Sequence, residues 1–252
     1  MSLNREYILI IPARLKSTRL PNKILIKILG ETVLKRVWFN CRKAVKEKDI
    51  YVAPGDKKII NYCKKNRIQT IFTSKNCLTG TDRIIEVAKK VKANFYVNVQ
   101  GDEIFVRPKS ILKIINCCKK LKNFFVINAF TQIKSKSEFN SSSVPKVLFD
   151  NNYNLLYMTR APAPANKKFE FTKAFKQVCI YAYPRNVLKK IKKNKKGKLE
   201  KIEDIEILRF LENGQKVKLI NVEGSEVAID TKKDVLKAKQ ILKKNIKTIL
   251  YN

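Results

Sequence analysis

Residues 7–23 read Tyr-Ile-Leu-Ile-Ile-Pro-Ala-Arg-Leu-Lys-Ser-Thr-Arg-Leu-Pro-Asn-Lys. The apolar run Tyr7–Ile11 predicts a short buried strand, and the following loop carries two arginines, two lysines and two hydroxyls. A basic, hydroxyl-rich loop after the first strand of an α/β domain predicts a polyphosphate site. Arginine forks and lysines replace the glycine-rich turn of a Walker A loop here. The alternative is a solvated basic turn, because the whole chain is rich in lysine.

Short apolar stretches alternate with amphipathic helices through the first half of the chain. The predicted strands are Asp49–Ala53, Ile68–Thr73 and Phe95–Gln100, and the predicted helices are Glu31–Lys46, Lys57–Asn66, Thr81–Val91 and Pro108–Leu121. This order predicts an α/β fold with a parallel sheet and helices on both faces. Ligands of such sheets bind beyond the carboxyl ends of the strands.

The second half of the chain is richer in predicted strands. The predicted strands are Phe124–Ile133, the hairpin strands Lys146–Phe149 and Leu155–Thr159, and Gln177–Tyr183, Val217–Val222 and Val227–Ile229, with helices at Glu200–Asn213 and Lys232–Lys244. No internal repeat or long linker is visible. We therefore expect one domain over residues 1–252, with a β-rich insertion at about residues 133–184.

Composition limits the possible chemistry. The 252 residues include no histidine, which excludes Cys/His zinc sites and histidine-activated nucleophiles. The spacing of the six cysteines is poor for an all-cysteine metal site, and we expect reduced, buried, structural thiols. No apolar run approaches a membrane span, and the N-terminus lacks a signal-peptide pattern. The expectation is a cytoplasmic protein without membrane insertion.

The formal charge of +34 raises the possibility of a nucleic-acid-binding protein. The excess consists mainly of lysine and is spread along the chain. The densest cluster, Lys189–Lys198, has no interleaved aromatic residues for base stacking and is interpreted as a solvated helix end and loop. We therefore expect no specific nucleic-acid partner, while a basic nucleic-acid-binding protein remains the competing class.

Two aspartates follow short apolar stretches. Asp102 ends the segment Val-Asn-Val-Gln-Gly-Asp, and Asp230 follows Val-Ala-Ile. Magnesium is usually held by one or two carboxylates together with substrate phosphate oxygens, so two aspartates facing a basic loop suit a magnesium–polyphosphate site. The alternative for Asp230 is an N-cap of the helix Lys232–Lys244.

Two further segments allow both structural and binding roles. Thr79 or Thr81 can cap the helix that follows, or loop hydroxyls there can contact a nucleotide. Arg160 follows a predicted strand and suits bidentate binding of a substrate carboxylate, with an ordinary surface arginine as the alternative. In the helix predicted at Glu200–Asn213, an i, i+3 salt bridge between Glu206 and Arg209 is the structural interpretation.

These motifs together resemble the 3-deoxy-manno-octulosonate (Kdo) cytidylyltransferases, and the resemblance covers almost the whole chain. The matching segments are Pro12-Ala13-Arg14, Ser17-Thr18-Arg19-Leu20-Pro21 with Lys23, Thr79-Gly80-Thr81-Asp82-Arg83, Asn98-Val99-Gln100-Gly101-Asp102-Glu103, Thr159-Arg160-Ala161, Ile180-Tyr181-Ala182-Tyr183, Ile202-Glu203 with Glu206 to Arg209, and Ile229-Asp230-Thr231. Their ordered combination is more specific than any single segment.

The resemblance implies a glycosyltransferase-A-like, Rossmann-like mixed sheet flanked by helices, in a magnesium-dependent homodimer. The implied reaction transfers CMP from CTP to the anomeric hydroxyl of an acidic 3-deoxy sugar and releases pyrophosphate. The implied nucleotide-binding residues are Pro12, Ala13, Arg14, Ser17, Arg19, Lys23, Thr81, Arg83 and Gln100; the implied metal ligands are Asp102 and Asp230; the implied sugar-site residues are Gln100, Arg160, Gln177, Tyr181 and Glu206. Catalysis is assigned by the same resemblance to Arg14, Lys23, Asp102 and Asp230.

The chain departs from the family pattern mainly around the acceptor. Gln177 stands where the family commonly has a histidine in the sugar pocket, and Cys179 replaces a glycine. Pro54-Gly55, Cys77 and Ala165 replace a usual Thr-Asp, histidine and tryptophan. The phosphate and metal positions are retained. The sugar is therefore left open between Kdo and a close analogue such as 8-amino-Kdo.

Overall fold

The computed structural model describes residues 5–121, 125–191, 193, 195–224 and 227–250. The strands are β1 (Arg5–Ala13), β2 (Lys27–Ile28), β3 (Glu31–Thr32), β4 (Ile50–Pro54), β5 (Ala93–Val99), β6 (Val126–Gln132), β7 (Lys146–Phe149), β8 (Leu155–Thr159), β9 (Phe175–Pro184) and β10 (Val217–Asn221). The α-helices are α1 (Val33–Ala44), α2 (Lys57–Lys65), α3 (Gly80–Lys90), α4 (Pro108–Lys120), α5 (Lys136–Asn140), α6 (Arg185–Lys190), α7 (Lys198–Glu203), α8 (Leu208–Glu212) and α9 (Lys232–Leu250).

A mixed eight-stranded sheet forms the centre of the molecule. Its main strand order is β10-β6-β9-β5-β1-β4, and the β7–β8 hairpin joins it through β9. β1 pairs in parallel with β4 and β5, and β10 pairs in parallel with β6. β9 runs antiparallel between β5 and β6. The predicted mixed sheet flanked by helices is therefore confirmed.

The two faces of the sheet are buried against different helices. Leu9 and Ile11 of β1 belong to the apolar core that includes α1 and α4, whereas Ile8 and Ile10 belong to the core that includes α3 and α8. This division follows from the two-residue alternation of side chains along a strand. A strand buried on both faces reads as an uninterrupted apolar run, which is what the sequence shows at residues 7–11.

Two predicted strands are wrong. Ile68–Thr73 makes one isolated bridge to β4 at Thr70 and otherwise runs irregularly beside it, with the Ile71 amide donating to the Val52 carbonyl at 3.0 Å. Val227–Ile229 joins no ladder, and the Ile229 amide donates to the Asp102 carbonyl at 3.0 Å. Three backbone hydrogen bonds join residues 69–73 to β4 and one anchors Ile229, but neither segment forms a regular ladder.

The predicted helix Glu200–Asn213 is also wrong as a single element. Asp204 adopts a left-handed conformation with φ of 49° and ends α7, and α8 starts again at Leu208. Aspartate tolerates this conformation better than most residues. Glu206 therefore lies in the non-helical segment between α7 and α8. β1 also continues past its predicted end, so Pro12 and Ala13 belong to the strand rather than to the loop.

The remaining expectations concern the cysteines, the lysine-rich cluster and membrane-spanning helices. The cysteines are free, and Cys117 and Cys179 are partly exposed while the others are buried. Phe124 of the strand predicted at Phe124–Ile133 lies outside the described residues, as do residues 192 and 194 of the lysine-rich cluster. In that cluster Lys196 pairs with Asp204 at 2.8 Å. Among the described residues, no helix combines the length and apolarity needed to cross a bilayer.

Candidate active site

Two turns meet at the carboxyl ends of β1 and β5. Gly101, in the turn after β5, lies so close to the end of β1 that a Cβ atom there would approach the Pro12 carbonyl oxygen to 2.8 Å and the Ile24 Cδ1 to 2.8 Å. Glycine therefore allows the basic loop to pack on the turn that presents Asp102. The sequence places both segments at one sheet edge, and the structure brings them into contact.

Lys23, Asp102 and Asp230 form an ion cluster at this edge, which we call the cleft cluster. The Lys23 Nζ lies 2.6 Å from Asp102 Oδ2 and 3.2 Å from Asp230 Oδ1. Arg19 pairs with the other oxygen of Asp230. Burial lowers the pKa of Lys23, but the charges and hydrogen bonds of the two aspartates outweigh burial and raise it above 10.5. The ammonium is therefore charged at neutral pH.

The backbone around Asp230 fixes its place in the cleft cluster. The Ile229 amide bonds to the Asp102 carbonyl at 3.0 Å, which ties the segment to the turn after β5. The Asp234 carboxylate accepts from the amides of Asp230 and Thr231 at 3.1 and 2.7 Å, and the Thr231 hydroxyl accepts from the Asp234 amide. Thr231 and Asp234 thus cap α9, and the alternative of Asp230 as its capping side chain is wrong.

The basic loop is held at several points and is not a wholly solvated turn. The Arg14 guanidinium donates to the Leu78 carbonyl at 3.0 Å, and the Leu15 amide donates to Asp56 Oδ2 at 3.2 Å. The Arg19 guanidinium reaches the Ser143 hydroxyl at 3.5 Å. Lys16 stays exposed. The loop therefore presents paired cations to the cleft while one lysine remains in solvent.

A cleft opens beside the cleft cluster and contains many of the predicted site residues. Its predicted members are Pro12, Ala13, Arg14, Lys23, Arg83, Gln100, Asp102 and Glu206. The predicted residues that do not line it are Ser17, Arg19, Thr81, Arg160, Gln177, Tyr181 and Asp230. Arg19 and Asp230 nevertheless reach its edge through Lys23 and their own ion pair. Three cations and two carboxylates thus surround one cleft.

Glu206 projects from the break between α7 and α8 onto the N-terminus of α3. Its carboxylate accepts from the Gly80 amide at 3.0 Å, and from the amide and the hydroxyl of Thr81 at 2.6 Å each. A carboxylate at a helix N-terminus is stabilised by the free amides and the helix dipole. The predicted Glu206–Arg209 salt bridge is wrong, and the hydroxyl of Thr81, predicted near the nucleotide, is engaged by Glu206.

A second ion cluster lies behind the cleft and consists of Arg209, Asp82 and Glu200; we call it the buried cluster. The Arg209 guanidinium donates to Asp82 at 2.7 Å and to both oxygens of Glu200 at 2.7 Å. Burial lowers the pKa of Arg209, but the bonds and charges of Glu200 and Asp82 raise it overall. Thr79 caps α3 in a reciprocal box with Asp82, so the capping interpretation of Thr79 is correct.

Arg160 binds backbone groups of its own chain. Its guanidinium donates to the carbonyls of Glu203 at 2.5 Å, Ser142 at 2.7 Å and Asp204 at 3.0 Å. The buried Lys146 ammonium holds the Arg160 carbonyl at 2.9 Å, together with two other carbonyls. The Arg160 guanidinium is thus held by backbone carbonyls of its own chain, unlike that of an ordinary surface arginine.

Gln177 and Tyr181 project from β9, where the register with β6 shifts. The Asn128 side-chain amide donates to the carbonyls of Val178 and Ile180 at 3.1 and 3.0 Å and satisfies the irregular ladder. The Gln177 amide donates to Asn128 Oδ1 at 2.9 Å. Tyr181 is buried, and burial raises the pKa of its hydroxyl well above 10.0. Gln177 and Tyr181, two of the five predicted sugar-site residues, therefore lie on this irregular part of β9 and do not line the cleft.

Three supporting residues were not identified by sequence reasoning. Asp56 anchors the basic loop, Asp234 anchors Asp230, and Asn128 holds the irregular part of β9. The Thr231-x-x-Asp234 spacing before an amphipathic run is a capping-box pattern that identifies Asp234. Asp56, in the turn after β4, and Asn128 act over long sequence separations, and no local pattern indicates these contacts.

Comparisons with known proteins agree with this geometry. A family model described as "Cytidylyltransferase" matches residues 8–220. The 3-deoxy-manno-octulosonate cytidylyltransferase of Elusimicrobium minutum is 32% identical over 95% of this chain and 99% of its own length. The 8-amino-3,8-dideoxy-manno-octulosonate cytidylyltransferase of Shewanella pealeana is 33% identical over 90% of this chain and 94% of its own.

A solved structure shows the same fold. The CMP:2-keto-3-deoxy-manno-octonic acid synthetase complexed with CTP superposes with a TM-score of 0.84 and 28% identity, covering 95% of this chain and 99% of that one. The predicted family is therefore confirmed: this chain belongs to the 3-deoxy-manno-octulosonate cytidylyltransferase family of cytidylyltransferases.

Proposed function

We propose that this enzyme transfers CMP from CTP to the anomeric hydroxyl of Kdo or a close analogue, releases pyrophosphate and serves lipopolysaccharide biosynthesis. The observation that carries the proposal is the cleft cluster, where a lysine lies between two aspartates beside a basic loop. Phosphoryl and nucleotidyl transfer depend on positioning and charge stabilisation, which such an arrangement supplies without histidine. CTP is the nucleotide bound in the structurally similar synthetase.

Magnesium is the proposed metal, and the two aspartates of the cleft cluster fit it. One cationic atom, Lys23 Nζ, already lies within 3.2 Å of an oxygen from each carboxylate, so a single ion can reach both. No group of three or more metal-ligating side chains occurs among the described residues, which leaves other positions to phosphate oxygens and water. Bound there, magnesium would lower the pKa of the attacking hydroxyl and neutralise phosphate charge.

The other side chains in and beside the cleft are proposed to bind the triphosphate, the acceptor and the nucleotide. Arg14, Arg19 and Lys23 bind the triphosphate and stabilise the charge that develops on departing pyrophosphate. Gln100 and Glu206, which line the same cleft, offer an amide and a carboxylate to the hydroxyls of the acceptor. Ser17, Thr81 and Arg83 stay proposed nucleotide contacts, and Thr81 would have to act while bonded to Glu206.

The acceptor is proposed as a Kdo-type sugar, and the relatives support two versions of it. Kdo enzymes and 8-amino-Kdo enzymes match this chain at similar identity, 32% and 33%. Arg160, Gln177 and Tyr181 are the proposed sugar-site residues at which the two acceptors would be distinguished. Arg160 uses three of its five N–H donors on carbonyls, so a sugar carboxylate would bind through the other two or displace one of those carbonyls.

The remaining proposals concern assembly and location. The family resemblance supports a homodimer in the cytoplasm and one domain with an insertion at about residues 133–184. Analytical ultracentrifugation measures the first of these directly. A monomer at micromolar concentration would contradict the dimer, without affecting the proposed chemistry.

The proposed reaction is tested by pyrophosphate release from CTP and magnesium with three acceptors: Kdo, 8-amino-Kdo and a sialic acid. We expect release with one Kdo-type sugar and none with the sialic acid. The absence of pyrophosphate release with all three sugars would contradict the proposed acceptor class. Tight binding of duplex DNA at physiological salt without any CTP binding would instead support the competing nucleic-acid class.

A further inference from the structure

The carboxylates proposed to hold magnesium are already paired with cations of the chain itself. Lys23 Nζ contacts Oδ2 of Asp102 at 2.6 Å and Oδ1 of Asp230 at 3.2 Å. Arg19 contacts Oδ2 of Asp230. Both oxygens of Asp230 and one of Asp102 are thus occupied by side-chain cations.

A divalent cation and the Lys23 ammonium compete for these two carboxylates. Magnesium requires its ligand oxygens at about 2.0–2.1 Å, and two cations placed a few ångströms apart in a partly desolvated site repel strongly. The aspartates are 25% exposed and Lys23 is 20% exposed, so solvent screens the repulsion only in part. Entry of the metal is therefore disfavoured while Lys23 stays on both carboxylates.

The same two cations are the ones proposed to bind the triphosphate. Arg19 is half exposed, and Lys23 begins a single short 3₁₀ turn directly after Asn22, whose φ is 56°. Both side chains are long and flexible, and each can exchange a carboxylate for a phosphate oxygen without any movement of the sheet. A triphosphate in the cleft thus offers these cations new partners and leaves the carboxylates available.

We propose that Lys23, assisted by Arg19, is an internal counter-cation that keeps divalent metal off Asp102 and Asp230 until a triphosphate draws it away. This inference rests on the proposed function, because it takes the metal and the triphosphate from it. Metal binding at the two aspartates is then coupled to nucleotide binding, and linkage makes the coupling reciprocal. Lys23 has two successive partners, the aspartates in the free enzyme and phosphate in the complex.

The test measures Mn²⁺ binding to the full chain by electron paramagnetic resonance, without nucleotide or sugar. Lys23→Met should bind Mn²⁺ at least about fivefold more tightly than wild type, within the usual range of coupling between sites. Lys16→Met is the matched control, because it removes the same charge from an exposed position on the same loop. It should bind Mn²⁺ within about twofold of wild type.

A second substitution locates the metal. Adding Asp102→Asn to Lys23→Met should abolish the gain in affinity, which assigns it to the cleft cluster. Lys23→Gln, a polar replacement, should reproduce the gain if the methionine variant does not fold. Mn²⁺ binding by Lys23→Met that equals wild type or Lys16→Met would overturn the inference. Because no CTP or sugar is present, this result is independent of the acceptor assay that tests the proposed function.

Discussion

The cleft cluster and the buried cluster each join one cation to two carboxylates, yet they differ in exposure and geometry. The side chains of the cleft cluster are 20–25% exposed, whereas those of the buried cluster are at most 1% exposed. Lysine is a compact charge that can change partners, whereas the arginine fork binds Glu200 through two parallel bonds. The cation of the cleft cluster is therefore suited to exchange partners, whereas the cation of the buried cluster is suited to hold helices together.

The position of each cluster in the fold agrees with this difference. The cleft cluster lies beyond the carboxyl ends of parallel strands, where ligands of α/β proteins bind. The buried cluster joins α7 and α8 to the N-terminal turn of α3, and Glu206 projects from the same break toward the cleft. We infer that the buried cluster holds a wall of the cleft in place.

Breaking the buried cluster should give the largest effect. Arg209→Met leaves two buried carboxylates without their cation, and we expect the free energy of unfolding to fall by about 3–5 kcal/mol. Urea denaturation measures this change. Arg107→Met is the control, because its ion pair with Glu223 is exposed and should be worth at most about 1 kcal/mol. Equal losses in both variants would refute a structural role specific to the buried cluster.

Breaking the cleft cluster should affect turnover and not folding. Lys23→Met should lower kcat/KM for CTP by about 100- to 1,000-fold, by analogy with loss of one charge-stabilising contact. Its free energy of unfolding should change by less than about 1 kcal/mol, because the cluster is partly solvated. Lys16→Met, in solvent on the same loop, should retain turnover. Steady-state pyrophosphate release and urea denaturation give the two values.

The support of the cleft cluster can be weakened without touching its charges. Asp234→Ala removes the cap of α9 and the acceptor for the Asp230 amide, at a cost of about 1 kcal/mol in stability. If Asp234 positions Asp230, this variant should also need more magnesium for half-maximal turnover. Thr231→Ser keeps a capping hydroxyl and should resemble wild type in both. An unchanged magnesium requirement in Asp234→Ala would limit Asp234 to helix capping.

The ion pair between Glu138 of α5 and Lys176 of β9 should give the smallest effect. Glu138 accepts from Lys176 at 2.5 Å; burial raises the pKa of Glu138, but this bond and the Lys134 amide lower it overall below 4.5. A lowered pKa contributes stability above 4.5 that is lost as pH falls through the folded-state value. Glu138→Gln should therefore cost at most about 1 kcal/mol at neutral pH, and less in acid. A stability cost of Glu138→Gln that grows as the pH falls would contradict this prediction.

The meeting of the basic loop with Asp102 was predictable from sequence, whereas the ion pairs of Lys23 with the two aspartates and the buried cluster were not. A basic loop after the first strand and an acid after Gly101 share one sheet edge in any parallel α/β arrangement, so local patterns suffice. Arg209 and Asp82 are 127 positions apart, and their meeting depends on the break at Asp204. Aspartate inside an otherwise helical pattern gives no reliable stop signal. Periodicity therefore predicted one helix where packing required two.

Short segments show the same limit of sequence reasoning. The apolar runs at Ile68–Thr73 and Val227–Ile229 have strand composition, but neither forms a regular ladder with a neighbouring strand. Whether an apolar run becomes a strand depends on a neighbouring edge with matching register, which composition does not encode. The ends of most longer elements differ from the predicted ones by one or two residues, but α9 continues from the predicted end at Lys244 to Leu250.

The most direct test of the central claim is magnesium-dependent pyrophosphate release by Asp102→Asn, measured beside its free energy of unfolding. We expect turnover lower by about 100- to 1,000-fold at saturating CTP and accepted sugar, with stability within about 1 kcal/mol of wild type. Full magnesium-dependent turnover in this variant would contradict the assignment of the cleft cluster as the reacting site.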